Sequence, residues 1–236
     1  MAKTKQALER LEEELYVARP ETIIVISPHG KLMDEVFTIN HSPTLQGDFS
    51  GFGDLETKLE FKNDLPLAYQ IRERLETDLP LILTTDSKLD YGSSIPLLYL
   101  ASHLKNIKII PVGYCQLDRK AHFNFGNEVR KILEMTNKRV AVIASADLSH
   151  RLIKEAPAGY SPEGKKFDAD LVKYIKEKEI GKILTLDEGL IKEAGECGYR
   201  SILILLGLIS EINYKADILS YEGPLGVGYL TANFIL

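Results

Sequence analysis

The stretch TIIVISPHG, residues 22–30, carries four consecutive apolar residues, Ile23 to Ile26, and then turns through Ser27 and Pro28 to a histidine. All four are β-branched, and no polar residue alternates with them. A strand of this kind is buried on both faces, as in a parallel sheet covered by helices on both sides. In open α/β sheets ligands collect at the carboxyl ends of the strands. His29 stands at such an end.

The flanking sequence agrees with that reading. Ala2 to Ala18 is rich in strong helix formers, with Leu8, Leu11 and Leu15 on one face, and Pro20 ends it. Beyond Gly30 a mixed stretch to Gly53 contains one plausible strand, 35–39. A helix is predicted over 65–79, with Pro66 in its first turn, and a short strand over 81–84. A polar loop follows to Ser94, then a helix over 96–104 and a strand over 107–114. Residues 123–135 form the next helix, and 139–144 a second continuous apolar strand that leads into SADLSH, residues 145–150. Helices over 161–178, 184–194 and 199–209 follow, and two closing strands over 216–221 and 227–234. Strands alternate with helices, with no repeat or linker. The expectation is a single α/β domain over 1–236, with a largely parallel central sheet flanked by helices on both faces.

Bulk composition narrows the function classes. The 236 residues are 44% hydrophobic and 27% charged, which is ordinary for a globular domain that closes a core without staples. A net charge of −5, spread along the chain, argues against a nucleic-acid partner. The longest apolar run, Ser201 to Ile209, is too short to span a membrane. Cys115 and Cys197 are far apart and make no disulfide framework, so a reducing cytoplasm is expected.

Four segments bring reactive groups to strand or helix ends: SPHG, LDYGSSIPL (residues 89–97), SADLSH and GECGYR (residues 195–200). His29 reads either as a loop hydrogen-bonder or as a metal ligand on a rigid strand. His150 reads as a helix-capping neighbour of Asp147 and Ser149 or as a general acid/base. Glu196 and Cys197 enter a helix N-terminus, which favours a carboxylate and activates a thiol; both can bind metal, and both can simply cap and pack. His41 is a second candidate ligand or a solvent-facing loop residue. His103 and His122 are placed on helical surfaces without a role.

Taken in order, IVISPHG, FTINHSPTLQGDFSGFG, LDYGSSIPLLYL, SADLSH and GECGYRSILILLG resemble the LigB-like class III extradiol ring-cleavage dioxygenases. The similarity is greatest to the LigB-like domains of the AmmeMemoRadiSam group, related to the Memo proteins, and covers nearly the whole chain from Glu21. The resemblance implies a non-haem Fe(II) site that opens a catechol-type aromatic with O2. It implies His29 as a metal ligand, Glu196 or Cys197 as another, and His150 as acid/base, with Ser27 and Asp147 near the substrate. Zn is the alternative metal, and a degenerate site would hold none. The Memo-like alternative is a non-catalytic protein that binds metal or peptide on the same fold.

The sequence departs from the family pattern twice. The family has a strand with a metal histidine before its first helix, and no such strand precedes Ala2; a truncated gene model or a lost site is expected from this, with His41 supplying the third ligand. Tyr91 stands where the family has a histidine, and orients a ring oxygen in this reading. If the missing strand is internal to the sheet, the sheet closes across the gap or a second subunit covers it, so a homodimer is expected.

Overall fold

A computed structural model describes residues 1–236. The N-terminal helix α1 spans Ala2–Ala18 and ends at Arg19, which adopts a left-handed conformation before the chain turns into β1, Thr22–Ser27. Then follow β2 (Phe37–Asn40), β3 (Thr44–Phe49), β4 (Asp54–Asn63), α2 (Leu65–Leu75), β5 (Leu81–Thr84), α3 (Tyr91–Leu100), β6 (Lys108–Gly113), α4 (Arg119–Glu134) and β7 (Val140–Ala144). The last part holds α5 (Pro162–Lys176), α6 (Ile180–Leu184), α7 (Glu188–Ala194), α8 (Tyr199–Ile209), β8 (Lys215–Glu222) and β9 (Tyr229–Ile235).

The sheet is largely parallel, as the apolar strands predict. Strand β1 lies inside it, next to the edge strand β7, and runs parallel to β6 on one side and β7 on the other. All six residues of β1 are buried. Because side chains alternate across a strand, Ile24 and Ile26 enter one core, beneath α2, α4, α5 and α8, and Ile23 and Val25 enter a second, beneath α1, α3 and the β3–β4 hairpin. Each such side chain contributes about 1.5–3 kcal/mol by leaving water.

Several boundaries differ from the sequence reading. The β3–β4 hairpin was not anticipated: its strands are rich in charged residues, and their alternating burial shows one face turned to solvent. Helix α3 starts at Tyr91, not at Pro96. Asp90 caps it by accepting a hydrogen bond from the Ser93 N–H (3.0 Å), which extends the helix across a stretch whose polarity reads as loop. The predicted helix over 184–194 is a single short helix, α7, preceded by α6; Asp187 caps α7 and breaks the continuity. His122 is fully buried, not on a helical surface: its ring nitrogens face the carbonyl oxygens of Asp118 (2.7 Å) and Cys115 (3.1 Å). No helix is long and apolar enough to cross a membrane.

The sheet does not close beyond β7. The path ends there, and β8 and β9 form a separate two-stranded sheet. The two sheets touch at an antiparallel bridge between Asp147 and Tyr229. The apolar strand VAVIA, expected to be covered like β1, is only half-buried at all five positions.

Candidate metal centre

The loops that leave β1 and β7 meet the turn that enters α8 at the carboxyl end of the sheet. After β1 the chain is fixed by Ser27, whose hydroxyl donates to Asp90 Oδ1 at 2.5 Å and accepts the His29 backbone N–H at 3.1 Å. Asp90 also accepts from the Ser93 hydroxyl (2.8 Å), so one carboxylate ties the SPHG loop to the start of α3. This approach is close enough to demand glycine at 92: a Cβ there would lie 2.6 Å from Ser27 Oγ and 3.0 Å from His29 Cδ2. The His29 ring stacks on Tyr91, with ring centroids 4.2 Å apart. Phe52, from the tip of the β3–β4 hairpin, meets Tyr91 edge-on at 5.8 Å. Burial pushes the His29 imidazole below its ordinary range, against the pull of Asp90 and Asp147.

On the other side, Asp147, His150 and Cys197 converge, and a carboxylate oxygen, an imidazole nitrogen and the thiol sulfur lie within 4.8 Å of one another. His150 Nε2 is 3.7 Å from Asp147 Oδ2 and 3.9 Å from Cys197 Sγ. Asp147 first, and Cys197 second, push the His150 pKa up to about 10, against the effect of burial. Asp147 and His150, three residues apart in the loop that leaves β7, bring their side chains to the same side of the cleft. Cys197 is delivered by the Gly195–Gly198 turn, whose Gly198 N–H donates to the Asp147 carbonyl at 3.0 Å. A Cβ at Gly198 would lie 2.4 Å from the Ala146 Cβ, so glycine allows the two loops to touch. Three side chains of these types, in a half-buried cleft, fit a metal ion by donor chemistry: imidazole, carboxylate and thiolate.

Of the two adjacent candidates, the structure brings Cys197 into this cluster and turns Glu196 to another task. The Glu196 carboxylate accepts the Tyr199 N–H at 2.5 Å and caps α8, and burial pushes its pKa up. His41 stands apart. Strand β2 runs antiparallel to β6, which carries His41 away from the end where His29 emerges. The expected arrangement of His41 as a third ligand beside His29 is not formed. Tyr91 lies over His29 and is 44% exposed.

Residues that sequence reasoning passed over hold the SADLSH loop in place. Asp168, on α5, is fully buried and accepts from the Ser149 N–H (2.8 Å) and the Tyr221 hydroxyl (2.6 Å). The signal for it was available: Asp168 shares the inward face of α5 with Gly164, Leu171 and Ile175, where a carboxylate is out of place without a partner. Burial raises its pKa from 3.8 to about 6. A carboxyl group raised in this way favours the fold in its neutral form: its contribution is full below pH 3.8 and is lost as pH rises through 6. Ionisation of the buried group then costs about 3 kcal/mol at neutral pH. Asp168→Asn keeps both contacts, because the carboxamide oxygen accepts from Ser149 and its NH2 donates to Tyr221. The variant is expected to melt several degrees higher at pH 7.5 and to lose the wild-type decline in stability between pH 4 and 7, as read by calorimetry across that range.

The cleft opens into a cavity of about 1390 Å3, mostly apolar, whose lining includes His29, Phe52, Tyr91 and Asp147. Comparison with known proteins places this architecture. Residues 1–232 match the family described as the catalytic LigB subunit of aromatic ring-opening dioxygenase. The chain belongs to the LigB family. It is 32% identical over 236 residues to Protein CA_C1420 of Clostridium acetobutylicum, covering 96% of this chain and 50% of that protein. A MEMO1 family protein of Methanococcus vannielii is 26% identical over 205 residues (85% of this chain, 65% of the relative). The 3,4-dihydroxyphenylacetate 2,3-dioxygenase of Escherichia coli is 28% identical over 142 residues (56% and 51%). The LigB chain thus spans between half and two thirds of the length of these relatives. Among solved structures, uncharacterized protein JW3007 from Escherichia coli K12 shares the fold, with a TM-score of 0.72 at 16% identity over 95% of this chain and 91% of that one.

Proposed function

We propose that this LigB-family chain is a metal-dependent oxidoreductase of the ring-opening dioxygenase type, acting on a catechol-like aromatic with O2. The observation that carries the reading is the convergence of Asp147, His150 and Cys197 within 4.8 Å, beside the His29–Tyr91 stack. Those three side chains would hold the metal, with Fe(II) the ion proposed and Zn the alternative. When bound, the metal supplies a site at which two ring hydroxyls and O2 are brought together.

The chain's own residues do the rest. His29, held neutral by burial, is a proton acceptor at the edge of the cluster and takes the proton of a ring hydroxyl. The Tyr91 hydroxyl stays protonated, its pKa raised first by burial and further by Cys197 and Asp147, and so donates to a substrate oxygen. Phe52 and Tyr91 offer apolar faces to an aromatic ring. The substrate class is supported by the ring-opening family and by the dihydroxyphenyl compound named for one relative.

A second reading is favoured by Cys197. A thiolate is foreign to the two-histidine, one-carboxylate triad of non-haem iron oxygenases, and MEMO1 family proteins are among the relatives. In this reading the cluster holds a metal without turnover, as a Memo-like binding site.

One experiment separates the two. The protein is purified without oxygen, its metal content measured, and O2 uptake followed with a panel of catechols that includes 3,4-dihydroxyphenylacetate. Iron near one per chain, with O2 uptake and a ring-opened product, is expected. Bound metal without O2 uptake would leave the second reading, and a chain that takes up no metal would remove both.

A further inference from the structure

Beside the SPHG loop lies a second cavity, of about 330 Å3, whose lining is polar almost throughout. His29 is the one residue it shares with the apolar cavity, and none of Asp147, His150 and Cys197 lines it. Strand β2 sets its floor. FTIN is buried at all four positions, as β1 is, but only one of its faces is apolar. Phe37 and Ile39 enter the larger core. Side chains alternate along a strand, so Thr38 and Asn40 lie on the opposite face. Asn40 stands beside Thr84 of β5, which is also buried. Three buried polar side chains on adjoining strands require polar company.

The protein supplies part of that company. The Thr38 hydroxyl donates to the Lys31 carbonyl at 3.1 Å. The Asn40 carboxamide donates to the Asp86 carbonyl at 2.7 Å and accepts the Ser42 N–H at 2.8 Å. One amide proton of Asn40 and the lone pairs of the Thr38 oxygen are left over. At the rim, Asp90 is taken up by Ser27 and Ser93, and Lys88 by Asp48 at 3.0 Å. Lys31 and Asp86 are exposed and form no ion pair. The two lysines and two aspartates of the lining balance in charge.

We propose that this cavity binds a free α-amino acid with an uncharged polar side chain. Its carboxylate meets Lys31, its ammonium meets Asp86, and its side chain hydrogen-bonds on the floor to Thr38, Asn40 and Thr84. Three observations select this ligand. The balanced lining gives no advantage to a ligand of net charge, and the two unpaired opposite charges at the rim match a zwitterion. The floor offers donor and acceptor together, which a carboxamide or hydroxyl satisfies and a hydrocarbon side chain leaves unpaired. The volume of about 330 Å3 is at the small end of the roughly 300–1,000 Å3 of ligand sites, which suits a small metabolite.

The test is calorimetric titration of the whole chain with L-glutamine as probe, followed also by NMR. Saturable binding is expected, with shifts at Asn40, Thr84 and the His29 ring and none at Ala232, which lines the apolar cavity. L-leucine carries the same charges on an apolar side chain and is expected to bind about tenfold more weakly. Lys31→Met and Asp86→Asn, both at exposed positions, should each lower affinity for L-glutamine about tenfold. L-glutamine amide, which lacks the carboxylate, should bind wild type and Lys31→Met alike; N-acetyl-L-glutamine, which lacks the ammonium, should bind wild type and Asp86→Asn alike. Absence of binding by L-glutamine, L-asparagine and L-serine at millimolar concentration would overturn the proposal without reliance on any variant. So would equal binding of L-leucine, full competition by glucose, or shifts at Ala232 in place of Asn40. None of these outcomes depends on metal or on turnover, so they stand apart from the reading of the metal centre.

Discussion

Cys197→Ala is expected to lower metal affinity by about a hundredfold or more and to leave the fold intact. The thiol is one of three donor atoms that converge, and its removal leaves an imidazole and one carboxylate. Even outer-shell partners of metal ligands are worth roughly 10–100-fold; a direct donor is worth at least the top of that range. The structural cost is small, because Cys197 is half-buried and its sulfur makes only long contacts, 3.9 Å to His150 and 4.0 Å to the Asp147 carbonyl. The same geometry sets a pH dependence. In the metal-free chain His150 is an imidazolium through the neutral range, since Asp147 and Cys197 push its pKa up to about 10. Metal must displace that proton. Affinity is therefore expected to rise at least about tenfold per pH unit from pH 6 toward 9, the His150 proton being released to the medium and any proton on the Cys197 thiol with it. Competition with a chelator across that range reads both effects. Full occupancy of Cys197→Ala, or a flat profile in wild type, would remove the cluster as the metal centre.

How much of this was legible in the sequence depends on which force set each feature. The parallel core was legible because β1 and its neighbours are built from continuous apolar runs, and burial on both faces leaves no other reading for Ile23 to Ile26. The helix over Tyr199–Ile209 was legible to the residue, since its apolar face and the glycine turn before it coincide. The β3–β4 hairpin was not, because a strand with one solvated face and many charges looks like loop, and its pairing reaches across the turn to residues as distant as Lys62 from Thr44. At the site, loop membership was legible and partnership was not. SPHG, SADLSH and GECGYR each announce themselves at an element end, but that Cys197 faces His150 while Glu196 turns to cap α8 is decided by the Gly198 contact with Ala146, a close approach that no spacing rule contains. His122 was misplaced for the opposite reason: a histidine on an amphipathic helix reads as surface, and its burial rests on two backbone carbonyls that become acceptors only in the folded chain.

Gly207→Val should destabilise the fold far more than any substitution at the metal centre. Helices α4 and α8 approach so closely that their backbones touch through two glycines. A Cβ at Gly207 would sit 2.0 Å from the Phe123 carbonyl oxygen and 3.1 Å from the Asn127 nitrogen; a Cβ at Gly126 would sit 2.0 Å from the Ile204 carbonyl oxygen. These obstacles are backbone atoms, so no side-chain rotation relieves them, and the helices must separate. Separation opens the larger core, where Phe125, Val129, Leu203 and Ile204 are almost fully buried. Overpacking alone typically costs about 1–3 kcal/mol, and a clash fixed by two backbones, with a cavity opened beside it, belongs among the exceptional cases above about 4 kcal/mol. For a chain of this size that corresponds to a fall in melting temperature of roughly 8–16 °C. Gly126→Ala is expected to act in the same direction, and the double variant to be less than additive, because the first separation already relieves the second contact. Gly51→Ala supplies the control: no atom lies within 4 Å of a Cβ there, and a change under about 0.5 kcal/mol is expected. Because α8 begins just after Cys197, a soluble Gly207 variant should also bind metal more weakly, while Gly51→Ala should not. Thermal unfolding followed by circular dichroism decides the matter, and a Gly207→Val protein that melts within about 2 °C of wild type, against the expected fall, would show that α4 and α8 do not pack backbone to backbone.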